Sequence, residues 1–201
     1  MSIEHKTLKF KPLHDEAAIK SRVSQLGQKI TKDLNGQELV VVVVLKGAFM
    51  FAADLVREIK VPVVVDFIGC ASYNGTKTTG TVKITQDLST DITDKNVLLV
   101  EDIVDTGRTL DYLLRILSER RPKSLRLCTL LNKPEAREID VNVDYYGFSI
   151  SNEFVIGYGL DLDQKFRELS YIAQVQSTWR VQLNLFWISL FDLFRGWWIV
   201  S

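Results

Sequence analysis

Val97 to Leu114 reads VLLVEDIVDTGRTLDYLL. Four apolar residues run into two adjacent acids, Glu101 and Asp102. Ile103 and Val104 follow, then Asp105 and the small polar turn Thr106, Gly107, Arg108, Thr109. Leu110, Leu113, Leu114 and Leu117 then recur three or four apart, the spacing of one helix face. The stretch predicts a strand, an acidic loop and a helix.

Such a loop suits a phosphorylated ribose. Where it feeds a helix N-terminus, free backbone N–H groups and the positive end of the helix dipole favour a phosphate dianion. Thr106 and Thr109 add hydroxyl donors, and Gly107 lets the backbone come close. Glu101 and Asp102 can accept from a ribose diol or anchor the waters of a Mg2+ ion. An ordinary strand-to-helix connection with an Asp or Thr cap shares much of this pattern, so the rest of the chain has to decide.

Upstream, Leu39 to Leu45 (LVVVVVL) is apolar without alternation, as in a parallel strand covered on both faces. Lys46, Gly47 and Ala48 follow, then Phe49, Phe51, Ala52, Leu55 and Val56 at helical spacing. A cation and a glycine between strand and helix make a second anion site; alone, they would read as a plain turn. Asp15 to Leu34 predicts a helix stopped by Asn35 and Gly36. Val61 to Ile68 predicts a strand with Pro62 near its start. Ala71 to Asp87 predicts a β-hairpin turning at Asn74-Gly75.

Downstream, Arg120 to Lys123 reads as a solvated basic turn. Leu125 to Leu131 predicts another buried strand, with Lys133 just beyond its end. Taken alone, that lysine would be a surface residue. Asp144 to Ile150 predicts the next strand, and NEFVIGYGLDLDQKFR (152–167) follows it. Lys46, Glu101, Asp105 and Lys133 each stand just past an apolar run. In an open α/β sheet that puts them together at the C-terminal ends of the strands.

The run from Val97 resembles the phosphoribosyl pyrophosphate signature of type I phosphoribosyltransferases, with wording close to the hypoxanthine-guanine branch. The resemblance extends from about Leu8 to Val175. It implies an α/β fold: a twisted, mainly parallel sheet with helices on both faces, plus a small hood. It implies that Glu101 and Asp102 hold the ribose hydroxyls, and that Asp105, Thr106, Gly107, Arg108 and Thr109 cradle the 5'-phosphate. By the same match Asp105 is catalytic, exchanging a proton with N7 of the purine.

The match also assigns Leu45, Lys46, Gly47 and Arg167 to pyrophosphate, commonly with a cis peptide at Leu45–Lys46. Lys133 would bond the exocyclic oxygen of a 6-oxo purine, Phe154 would stack on the base, and the backbone of Val155 would read its 2-position edge. Ser72 and Tyr73 match a mobile lid that excludes water. Mg2+ is the implied cofactor, held through Glu101, Asp102 and Asp161. The implied reaction is transfer of the phosphoribosyl group from phosphoribosyl pyrophosphate to hypoxanthine or guanine. A xanthine-preferring enzyme and an RNA-binding regulator on the same fold are the alternatives.

With 201 residues the chain fits one domain, and 25 Lys plus Arg balance 25 Asp plus Glu. No basic field recommends nucleic acid as a partner. Cys70 and Cys128 lie far apart in strand-like surroundings and predict free buried thiols in a reducing compartment. His5 and His14 stand away from every other motif, against a His triad or zinc site. MSIEHKTLKF has no apolar signal core, so a cytoplasmic location is expected. The family suggests a homodimer or homotetramer.

Residues 176–201 (QSTWRVQLNLFWISLFDLFRGWWIVS) fall outside the resemblance and hold all four tryptophans. Its apolar residues recur at helical spacing, yet Asp192 and Arg195 interrupt the run and make it too short to span a membrane. A helix lying on a membrane surface, a helix against its own or another subunit, and an extension with no selected role remain open. The expected division is therefore a domain over 1–175 and an apolar extension over 176–201.

Overall fold

The computed structural model describes residues 9–75 and 78–176, the side chains of 72–75 and 78–81 excepted. In chain order the elements are β1 Lys9–His14, α1 Glu16–Leu34, β2 Leu39–Leu45, α2 Phe49–Glu58, β3 Val63–Gly75, β4 Thr78–Gln86, β5 Asn96–Val104, α3 Arg108–Ser118, β6 Ser124–Asn132, β7 Tyr145–Ser149, β8 Val155–Ile156 and β9 Ile172–Gln176. The main sheet runs β4-β3-β2-β5-β6-β7, parallel except for the antiparallel β3–β4 pair. β1, β9 and β8 form a separate antiparallel sheet, the expected hood.

The valine run in β2 shows why the sheet is covered twice. Successive side chains of a strand point to opposite faces. Val41 and Val43 pack with Leu26 and Ile30 of α1 and Phe51 and Leu55 of α2. Val40, Val42 and Val44 pack with Leu110, Leu113 and Leu117 of α3 on the other face. A strand enclosed in this way has no polar face, which is why its sequence does not alternate.

Local chemistry sets the helix ends. Asp15 caps α1 by accepting from Ala18 N at 2.8 Å, and Asn35 closes it in the left-handed conformation. α3 begins at Gly107, φ 86°, with no side-chain hydrogen bond capping it. Of the first-turn N–H groups, Arg108 N donates to Thr106 Oγ1 at 3.5 Å, and the cap residue Gly107 itself supplies no acceptor.

Several expectations shift by a few residues. Asn74 and Gly75 lie inside β3, with Gly75 opposite Thr78, so the hairpin does not turn there. The connection itself, 76–77, lies outside the described residues, as do the Ser72 and Tyr73 side chains of the expected lid. Glu101 and Asp102 belong to β5, because the β5–β6 ladder continues past them to Val104↔Asn132. Gln176, grouped by sequence with the tail, ends β9 and pairs with Lys9. The extension beyond it lies outside the described residues.

The hood docks onto the sheet through a stack of His14 on Phe148, ring centroids 3.8 Å apart. Tyr158 Oη donates to Asp54 Oδ2 of α2 at 2.6 Å. Its own core gathers Ile156, Leu162, Ala173 and Val175 with Phe10 and Phe166. Cys128 is buried and Cys70 only partly so; both are free. Among the described residues, no helix is long and apolar enough to cross a membrane.

Candidate active site

Four loops meet at the C-terminal ends of β2, β5 and β6 and beneath the hood. The first follows β2. Its Leu45–Lys46 peptide is cis, and Lys46 is exposed while Ala48 is buried at the start of α2. Lys46 Nζ lies 3.5 Å from Gln164 Oε1 in the hood.

Gly47 is needed for its lack of a side chain. A Cβ there would overlap the Asp102 carboxylate, and a Cβ on Gly159, φ 101°, would overlap the Gly47 carbonyl. Three loops distant in sequence thus touch at one point. The glycines were visible in the sequence, but nothing near either one names its partner.

The two acids sit where the alternation of β5 breaks: Leu98 and Val100 share a cluster with Ile103, and Val97 and Leu99 share the other with Val104. The Asp102 carboxylate stands against Gly47, just ahead of α2. Glu101 Oε1 accepts from Asp102 N at 3.2 Å. Burial, and next the neighbouring Asp102 carboxylate, push the Glu101 carboxyl well above its ordinary value. A group so disposed gains from a nearby cation.

Asp105 is exposed after β5, and the Lys133 ammonium stands 3.7 Å from its Oδ2. The Lys133 side chain is 8 % exposed, so it is not the surface lysine its sequence position suggests. Its backbone N–H donates to Val104 O at 2.9 Å, which joins the two loops directly. Thr106 O accepts from Glu138 N and Ile139 N, both at 3.0 Å. Arg108 Nε donates to Glu138 Oε2 at 2.6 Å, so Arg108 points away from the loop's interior. The open first turn of α3, with Thr106 and Thr109 partly exposed, leaves backbone donors for an oxyanion.

The hood supplies the remaining wall. The Phe154 ring is 44 % exposed, while the Val155 side chain is buried. Val175 N donates to Phe154 O at 2.9 Å, and Val155 pairs with Gln174. In an antiparallel ladder, alternate residues turn their peptide groups outward. The N–H and C=O of Val155 therefore face the open side of this edge strand.

Arg167 Nη2 is 2.7 Å from Asp161 Oδ1, and its Nη1 donates to Gly159 O at 2.6 Å. The expected pyrophosphate and metal residues are thus paired with each other. Among the described residues, no group of three or more His, Cys, Asp or Glu side chains stands close enough to hold a metal. Glu101, Asp102 and Asp161 do not make a closed metal cage. Mg2+ typically takes one or two carboxylates and completes its shell with water and substrate phosphates, so the vicinal pair Glu101–Asp102 fits it.

Known proteins share this chain's sequence and fold. Residues 10–163 match the profile of the phosphoribosyl transferase domain. The hypoxanthine phosphoribosyltransferase of Salmonella typhimurium is 53 % identical over 164 residues, covering 80 % of this chain and 92 % of that protein. A hypoxanthine-guanine phosphoribosyltransferase from Bacillus anthracis superposes with a TM-score of 0.79 at 45 % identity, covering 85 % of this chain and 99 % of that one. The Trypanosoma cruzi hypoxanthine phosphoribosyltransferase in complex with IMP gives 0.80 at 39 % identity, covering 87 % and 98 %. The chain belongs to the phosphoribosyltransferase family, among its hypoxanthine and hypoxanthine-guanine members.

Proposed function

We propose that this protein is a purine-salvage transferase that moves the phosphoribosyl group of phosphoribosyl pyrophosphate to N9 of hypoxanthine or guanine. The products are IMP or GMP and pyrophosphate. The observation that carries the reading is the buried Lys133 beside Asp105 at 3.7 Å. A buried ammonium and an exposed carboxylate on adjoining loops match the two polar edges of a 6-oxo purine.

The roles follow from position. The open turn Thr106 to Thr109 binds the 5'-phosphate, with Asp105 at its edge. Glu101 and Asp102 accept from the ribose hydroxyls. Lys46, Gly47 and Arg167 receive pyrophosphate, which requires Arg167 to share or leave Asp161. Lys133 donates to the exocyclic oxygen of the base, Phe154 covers its face, and the outward peptide groups of Val155 meet its 2-position edge. Ser72 and Tyr73 close over the site.

Glu101 and Asp102 would hold Mg2+, and Asp161 a second ion; bound there, the metal would supply positive charge beside the pyrophosphate. No protein nucleophile is needed. As the C1–oxygen bond to pyrophosphate breaks, N9 forms the new bond on the opposite face, and Asp105 takes or shares the N7 proton. Rate then comes from placement and charge stabilisation.

The protein acts in the cytoplasm as a homodimer or homotetramer. Val65 and Phe67 on β3 are 42 % and 39 % exposed, an apolar strip suited to a second copy. Steady-state turnover of hypoxanthine, guanine, xanthine and adenine, by the full chain and by a chain ending at Val175, tests the reading. Activity on hypoxanthine and guanine is expected from both. Folded protein inactive on every base would overturn it, and salt-dependent RNA binding would then favour a regulator.

A further inference from the structure

Arg137 has no part in the site described above, yet it lies directly beneath it. It follows Lys133 across a short 3-10 turn, Pro134–Ala136. Its Nη2 donates to Asn132 Oδ1 at 2.5 Å, and Asn132 is the last residue of β6 and the neighbour of Lys133. Its aliphatic stem runs under the phosphate loop: a Cβ on Gly107 would stand 3.2 Å from Arg137 Cδ. The next two residues, Glu138 and Ile139, hold Thr106 O through their N–H groups.

One feature of this arrangement is costly. Arg137 Nη1 is buried and has no hydrogen-bond partner among the described residues. A buried donor left unpaired is unfavourable, and more so on a charged group. Burial lowers the guanidinium's pKa, and the nearby carboxylates of Asp140 and Asp105 oppose that shift. A cation therefore sits behind the loop with one donor to spare.

The planar peptide accounts for the spare donor. When a phosphate draws the N–H groups of a loop to one side, the carbonyls of the same peptides turn to the other. The other side here is the floor made by residues 137–139.

We propose that Arg137 is a positioning residue that ties the phosphate loop Asp105–Gly107 to the base-reading Lys133, so that the phosphate cradle and the base pocket are held in register. Asn132 Oδ1 fixes one arm of the fork beside Lys133. The other arm, Nη1, receives a loop carbonyl once the 5'-phosphate is seated. A lysine could keep the charge but not bridge two acceptors in a plane. This inference rests on the reading that Lys133 and the Asp105 loop act on one substrate pair.

The test compares Arg137→Ala and Arg137→Lys with the native full-length chain, each shown to be folded by circular dichroism. The readouts are KM for phosphoribosyl pyrophosphate and the kcat/KM ratio of hypoxanthine to adenine. Both move together in Arg137→Ala: KM rises tenfold or more and the ratio falls tenfold or more. Arg137→Lys regains less than half of either change on a logarithmic scale. Millimolar ethylguanidinium partly restores Arg137→Ala, an effect that a general loss of stability would not give.

Arg126→Ala serves as a control, because Arg126 also makes a side-chain hydrogen bond, to Tyr145 Oη at 2.9 Å, but at the start of β6. It leaves both readouts within twofold. A folded Arg137→Ala with both readouts within twofold of native overturns the proposal, and so does a change in only one of them. Should the alanine variant not fold, Arg137→Lys and Arg137→Gln are judged by the same two readouts. If the native chain itself turns over no hypoxanthine, the functional reading fails; native turnover with unmoved variants removes only the role of Arg137.

Discussion

Lys133 Nζ and Asp105 Oδ2 stand 3.7 Å apart, on loops that leave two neighbouring parallel strands. The lysine is buried and the aspartate exposed, so the pair has one end in the protein and the other open to a ligand. A base inserted there would meet a donor and an acceptor at once.

Lys133→Ala removes the donor proposed for the exocyclic oxygen while leaving the loop's backbone bond to Val104. A site built to bond a substrate group rejects analogues lacking it by large factors. The variant should lose about 10- to 100-fold in its preference for hypoxanthine over adenine. Competition kinetics with both bases measure this, and an unchanged ratio would remove Lys133 from base selection.

Asp105→Asn keeps the size of the side chain and removes its capacity to take a proton. General acid–base assistance is typically worth about 10²- to 10⁴-fold. Turnover should fall in that range, with the Kd for phosphoribosyl pyrophosphate little changed. Single-turnover rates and equilibrium binding separate the two effects.

Gly47→Ala puts a methyl group into the Asp102 carboxylate, and Gly159→Ala puts one into the Gly47 carbonyl at a φ of 101°. Each variant should lose at least 100-fold in kcat/KM, because about 1 Å of misplacement can cost that much. Gly36→Ala provides the comparison, since its Cβ would meet nothing within 4 Å. It should lose stability through its φ of 80° but keep its catalytic constants.

Asp66 gives a pH-dependent prediction away from the site. It is 6 % exposed, and its Oδ2 accepts from Ser89 N at 2.9 Å and Thr90 N at 2.7 Å while Oδ1 accepts from Phe67 N at 2.8 Å. Burial raises its pKa, but these hydrogen bonds outweigh burial and hold the carboxyl below the usual carboxylate value. A lowered folded pKa means stability that is present above the unfolded value and lost as pH falls through the folded one. Asp66→Asn should cost about 2 to 3 kcal/mol at neutral pH. That gap in thermal unfolding should close in acid below pH 4, and a gap independent of pH would refute the assignment.

The extended run Leu39 to Leu45, the helical spacing from Leu110 to Leu117 and the helix stop at Asn35-Gly36 were legible because each depends on neighbours in sequence. Periodicity and capping are local, and the four apolar runs ending in Lys46, Glu101, Asp105 and Lys133 already implied one ligand-binding edge. The sequence also suggested a hairpin at Asn74-Gly75, where local turn chemistry yields to the ladder that carries β3 through Gly75.

What only the tertiary structure decided depends on residues far apart in the chain. Burial of Lys133, the meeting of Gly47, Asp102 and Gly159, the Asp161–Arg167 pair and the spare arm of Arg137 leave no periodic trace. The sequence determined which residue types the strands deliver to that edge, because strand and helix periods are properties of the local backbone. Which of them touch was decided by the order of strands in the sheet and the docking of the hood, both set by long-range packing.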